Sequence, residues 1–171
     1  NPLVWVLALS SAFMYVSRYA INGWGVLFLQ EIKGYTLAAA TQVISVNALC
    51  GIVGTVFSGW LSDAFFSGRR NVPAFGFGVL NTVALCLFLY SGSGLVINIL
   101  SMILFGVAIG VLICFLGGLM AIDIVPREAT GAALGIVGMA SYVGAGLQDI
   151  VSGWLINSGK TELDGVTSYN F

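Results

Sequence analysis

The sequence predicts an all-α integral membrane protein with five transmembrane helices, and three observations carry that reading. Of 171 residues, 58% are hydrophobic and 8% are charged, whereas a water-soluble domain carries about 25% charged residues. The mean hydropathy is +1.01. Finally, apolar runs of the roughly 20 residues needed to cross a bilayer as a helix recur five times, separated only by short polar punctuation.

The first run, residues 3–29, opens behind Pro2, where a missing N–H costs a helix nothing. It is too long for the apolar part of a leader peptide and contains an arginine, so it reads as a span and not as a cleaved signal. The second run, 37–61, follows the break QEIKGYT. The third, 72–90, follows SDAFFSGRRN and has Pro73 in its first turn. The fourth, 95–122, follows SGSG, and the fifth, 130–156, follows DIVPREA with Pro126 in the connection. Residues 1–156 thus form one helical bundle, and 157–171 a polar tail or loop. An odd number of spans ending in such a tail suggests part of a longer chain.

Basic residues in short connections mark the cytoplasmic side. Arg69, Arg70 and Arg127 lie in the second and fourth connections, Lys33 and Lys160 in the first and the tail. This bias places the N-terminus inside and the tail outside. Gly51, Gly54, Gly59, Gly106, Gly110, Gly117, Gly118, Gly131, Gly135, Gly138, Gly144 and Gly146 are expected to let helix backbones approach closely, since small residues drive packing where lipid removes the hydrophobic incentive.

The composition also excludes chemistry. No histidine is present, which removes histidine triads, histidine metal ligands and a histidine pH switch. Cys50, Cys86 and Cys114 stand singly in apolar runs and read as small core residues. No metal, no cofactor and no enzymatic activity are expected. The basic residues never exceed a pair in a row, so nucleic acid is not an expected partner.

Two charges stand inside spans. Arg18 lies roughly 22 Å along the first helix from Leu3, near mid-membrane, where an arginine costs about 3 kcal/mol. Its planar fork of donors suits a carboxylate or a phosphate. An internal ion pair would also account for it. Tyr15, Tyr19 and Asn22 surround it at helical spacing and favour an anionic substrate. Asp149 in the fifth run lies at a depth within roughly 5 Å of Arg18, so the two could pair, directly or through Gln148. Alternatively Asp149 faces the outer vestibule. Asn47 in the second run is either a further site residue or an interhelical hydrogen-bond partner. A phosphate monoester carries about −1.5 to −2 charges, so Arg18 alone would not balance one, and a second cation is required from elsewhere.

Three stretches carry a family resemblance. GWLSDAFFSGRR contributes Gly59, Asp63, Gly68, Arg69 and Arg70; YVSRYAINGW surrounds Arg18; and GGLMAIDIVPREATGAALGIVGMASYVG contributes Asp123, Arg127 and Tyr142. Together they resemble the organophosphate:phosphate antiporter group of the major facilitator superfamily, which includes glycerol-3-phosphate and hexose-phosphate transporters. The resemblance implies that the five spans are helices seven to eleven, in the C-terminal half, with an N-terminal half and a last helix outside this stretch. It further implies Arg18 as one of two phosphate-binding arginines, with Tyr15, Tyr19, Asn22, Asn47, Tyr142, Gln148 and Asp149 around the substrate. Gly59, Asp63, Gly68, Arg69, Arg70, Asp123 and Arg127 would gate the cytoplasmic end. The implied activity is exchange of an organic phosphate for inorganic phosphate across the inner membrane by alternating access. Some members of the group are sensors of hexose phosphate with the same fold, and the binding residues do not separate the two.

Overall fold

The computed structural model describes residues 2–66, 70–163 and 166–169. Five helices among them are long and apolar enough to cross a membrane. In hydrocarbon every backbone N–H and C=O must be satisfied within the chain, and a helix does so along its own length. Helix α1 spans Pro2–Glu31, α2 Leu37–Phe66, α3 Asn71–Tyr90 and α4 Leu95–Cys114. Helix α4 runs on through a π-helical turn, Phe115–Leu119, into the short α5, Met120–Ile124. A single 3₁₀ turn, Arg127–Ala129, then leads into α6, Thr130–Ser158. The backbones of Lys160–Leu163 (β1) and Val166–Tyr169 (β2) pair antiparallel beyond α6, a ladder that hydropathy alone gave no reason to expect.

The break between α1 and α2 is built from local chemistry. Gly34 has φ +70°, a conformation that glycine adopts without a Cβ penalty. The amide of Gly34 donates to the Gln30 carbonyl at 3.2 Å and that of Tyr35 to the Leu29 carbonyl at 3.0 Å, which closes the last turn of α1. Two residues later Thr36 Oγ1 accepts from the Ala39 amide at 3.3 Å and caps α2.

Packing rests on glycine at a few positions only. A Cβ on Gly106 would fall 2.3 Å from the Asn47 carbonyl oxygen, one on Gly110 2.2 Å from that of Gly51, and one on Gly54 2.4 Å from that of Val107. Helices α2 and α4 therefore touch backbone to backbone. Thr55 Oγ1 donates across this seam to the Gly110 carbonyl at 3.1 Å. Helices α1 and α6 meet at Ala12 and Gly144, where buried Ser11 and Ser141 share a 2.7 Å hydrogen bond. Between these pairs Met14, Ile21, Val43, Phe88, Phe105 and Ile109 form the main core. The other expected contacts do not occur: a Cβ at Gly59, Gly117, Gly118, Gly131, Gly135, Gly138 or Gly146 meets no atom within 4 Å. Among the described residues, nothing approaches the open side of those glycines closely enough to require their small size.

One end of the bundle is tied by Lys33, which is 8% exposed. Its ammonium donates to the Phe88 carbonyl, to Ser91 Oγ at 3.2 Å and to Asn98 Oδ1 at 2.6 Å. It also lies 5.0 Å from the Phe88 ring centroid and 5.6 Å from that of Phe28. Asn98, fully buried, returns its amide protons to Tyr35 Oη and to the Gly92 and Gly94 carbonyls. The loop after α1 is thus fastened to the loop before α4.

Two outcomes follow from this packing. Gly110→Val is expected to cost about 1–3 kcal/mol through overpacking, read as a lower melting midpoint in detergent, whereas Gly76→Ala, which meets open space, leaves the midpoint unchanged. Burial pushes the Lys33 ammonium below its ordinary value of 10.5. The unfolded chain then binds the proton more tightly, and Lys33 contributes stability that rises as pH climbs toward 10.5. Lys33→Met strands the Asn98 and Phe88 oxygens at a cost of about 1–3 kcal/mol. It should also flatten that part of the pH–stability curve relative to the parent.

Candidate functional site: a cationic pocket at mid-membrane

Arg18 lies near the middle of α1 and is half-buried. Its guanidinium carbon is 5.7 Å from the Tyr15 ring centroid and 5.8 Å from that of Tyr19. These distances are within the range at which an aromatic face attracts a cation. The two rings stack at 5.9 Å and 24°. Helix α6 adds a third ring: Tyr142 meets Tyr15 edge-on at 5.5 Å and 69°. The sequence spacing 15, 18, 19 puts the first two tyrosines on the arginine's own face, while Tyr142 arrives because Gly144 seats α6 against Ala12.

Among the described residues no carboxylate pairs with Arg18. Arg70–Asp123 is the one ion pair among the described residues, so the pairing of Arg18 with Asp149 that depth alone allowed does not form. Asp149 is exposed, and its Oδ1 lies over Gly23, 3.6 Å from where a Cβ would sit. Gly23 is five residues beyond Arg18, about 7.5 Å along the helix. Asp149 and Tyr142, seven residues apart, share one face of α6. Gln148 does not join them. Neighbouring residues on a helix point about 100° apart, and Gln148 lies instead in an apolar groove of about 610 Å³ with Trp5, Ala12 and Phe13. There its Nε2 donates to Ser152 Oγ at 2.8 Å. The structure thus places Gln148 in that groove and not among the residues lining the pocket of Arg18.

The pocket itself, about 410 Å³, is lined by Arg18, Asn22, Asn47, Gly51, Thr55 and Gly110, among others. Asn47 Nδ2 donates to Asn22 Oδ1 at 3.1 Å and to the Ile44 carbonyl at 3.0 Å. Both roles considered for Asn47 therefore coincide in the geometry: it links two helices and it lines the pocket.

At the far end from Lys33, Arg70 Nη1 donates to Asp123 Oδ2 and, at 3.2 Å, to the Leu119 carbonyl that ends the π-turn. The start of α3 is thereby clasped to α5. Arg127 is exposed and pairs with no carboxylate among the described residues. Gly68 and Arg69 lie outside the described residues, and of Asp63 only the backbone, within α2, is described. The Lys33–Asn98 network went unread in the sequence. Its one signal is an asparagine early in the most apolar run, which requires a partner.

A bundle of membrane-length apolar helices tied backbone to backbone, with a polar pocket part-way along it lined by an arginine, defines a polytopic membrane protein. Residues 1–157 match the family model of the Major Facilitator Superfamily, and the chain belongs to that superfamily. It is 35% identical over 150 residues to a glycerol-3-phosphate transporter of Bacillus subtilis, covering 84% of this chain and 32% of that protein. It is 34% identical over 168 residues to the membrane sensor protein UhpC of Salmonella typhimurium, covering 90% and 34%. A probable hexose phosphate transport protein of Chlamydia trachomatis is 32% identical over 153 residues, covering 85% and 32%. The chain spans about a third of the length of these relatives.

The clasp generates a direct expectation. Ala121, two residues before Asp123 and fully buried against Val4, Leu7 and Val137, is a suitable reporter of how firmly α5 is held: Ala121→Cys should react with a soluble maleimide roughly tenfold faster when Arg70→Gln frees α5. The exchange R70D/D123R should restore the slow rate.

Proposed function

We propose that this chain is the C-terminal half of a secondary transporter that exchanges an organic phosphate for inorganic phosphate by alternating access. It would act in the inner membrane together with an N-terminal bundle facing the open side of the pocket. The observation that carries the reading is Arg18, half-buried at mid-span, flanked by tyrosine rings and, among the described residues, without a carboxylate partner. A charge kept so at membrane depth is a functional site by default, and its planar donors match phosphate oxygens.

Charge balance supports a second bundle. A phosphate ester carries about −1.5 to −2 charges, and Arg18 is the one cation lining this pocket among the described residues. A facing half would supply the other. In this mechanism Tyr15, Tyr19 and Tyr142 hold the guanidinium in place, and Asp149 marks the rim of the site. Arg70 and Asp123 close the cytoplasmic end in one state and part in the other, together with Asp63, Arg69 and Arg127. The names of the relatives, which include glycerol-3-phosphate and hexose phosphate transporters, favour sugar phosphates or glycerol phosphate as the cargo. The UhpC relative favours a second reading, a hexose-phosphate sensor with the same site and negligible flux.

The test is transport by the complete polypeptide in proteoliposomes loaded with phosphate. Arg18→Lys, which keeps the charge and loses the planar fork, should lower exchange by at least about tenfold, equivalent to 1.4 kcal/mol. Arg18→Ala should abolish it with insertion intact. Exchange at the parent rate by the alanine variant sinks the reading. Binding without flux in the parent selects the sensor.

A further inference from the structure

We infer that Asn22 and Asn47 form a hydroxyl-reading subsite beside Arg18, so that the pocket selects phosphate monoesters of polyols over alkyl phosphates. The inference rests on the phosphate-binding role proposed for Arg18. Its own basis is the orientation of two amides.

Asn47 is 5% exposed, and both protons of its Nδ2 are committed, one to Asn22 Oδ1 and one to the Ile44 carbonyl. The Ile44 carbonyl can only accept, so the Asn47 side chain cannot turn over without setting two oxygens face to face. Its Oδ1 is therefore fixed as the group left for a ligand. That oxygen has no partner among the described residues and is not sealed from the pocket, unlike the buried Oδ1 of Asn81 or Oε1 of Gln148. Asn22 spends its own oxygen on Asn47 and, being exposed, presents two unspent Nδ2 protons. The pair thus offers one acceptor and two donors side by side.

A fully ionised phosphate group offers acceptors only and gains nothing from Asn47 Oδ1. A hydroxyl, which both donates and accepts, fits the pair, and a polyol satisfies both amides at once. Position agrees with this chemistry. Asn22 follows Arg18 by one turn on the same face, a rise of about 6 Å, the span between a phosphate and a hydroxyl two or three carbons away. Asn47 is held at that level because Gly106 of α4 lies against its backbone. An alkyl phosphate entering the pocket would strip water from Asn47 Oδ1 and return nothing, and buried polar groups left unpaired are what reject an analogue lacking a hydroxyl.

The experiment is competition for phosphate exchange by the complete transporter, using glycerol 3-phosphate, n-propyl phosphate and inorganic phosphate as probes. The parent should prefer glycerol 3-phosphate to n-propyl phosphate by about tenfold or more. Asn47→Ala should shrink that preference to roughly twofold, with a smaller change in the apparent affinity for inorganic phosphate. Asn22→Ala provides a second arm: the residue is exposed, and its loss removes two donors and one of the two bonds that orient the Asn47 amide, so it too should narrow the preference. A parent that does not distinguish the two esters overturns the subsite and leaves the Arg18 reading standing. Variants that keep the full preference do the same. A parent in which no phosphate compound competes overturns both.

Discussion

The contact between the backbones of α2 and α4 is the constraint on which the site depends. Gly106 lies on the peptide of Asn47, and Gly110 on those of Gly51 and Thr55. Four residues of the seam, Asn47, Gly51, Thr55 and Gly110, thus also line the pocket. Within lipid such a contact gains from dispersion and from carbonyl-directed hydrogen bonds, with no burial of apolar area against water to drive it. The Thr55 hydroxyl, shared between the Gly51 and Gly110 carbonyls, adds a polar tie. A pocket whose floor is made of main chain has a fixed shape, and that rigidity is what allows the amide of Asn47 to hold one orientation.

The two ends of the bundle are fastened differently. At the Lys33 end every donor of the ammonium meets an oxygen, and Asn98 and Tyr35 carry the network on to the carbonyls of residues 92–94. A saturated, buried network of this kind is costly to open. At the other end the described structure is held by one guanidinium on one partly exposed carboxylate and one carbonyl, an arrangement whose net strength in water is modest. Movement that opens the bundle internally would begin at the Arg70 end.

Much of the site was legible because charge and hydrocarbon are incompatible. Arg18 announced itself by depth alone, and Tyr15, Tyr19 and Asn22 by helical spacing from it. Asn47 was legible as a polar side chain in need of a partner. The rest required distances that a linear pattern does not hold. Gln148 and Asp149 are adjacent in sequence and part company on α6, because which of them meets α1 depends on the rotation that Ala12 and Gly144 impose. Gly59 belongs to a recognisable motif and yet a Cβ there would meet none of the described residues, while a Cβ on Gly54, five residues earlier, would run into the main chain of α4. Lys33 and Asn98 are 65 residues apart and meet only after four helices have formed.

The π-turn at Phe115–Leu119 works as a phase adjuster. It lodges one residue more per turn than an α-helix does, so everything beyond it is rotated by about 100° relative to an uninterrupted α4. The half of the span that packs on α2 and the half that carries Asp123 are thus set by different clocks. Asp123 lies beyond that offset, so adding or removing one residue in the FLGGL segment would turn its side chain by about 100° relative to the packed half and uncouple it from Arg70.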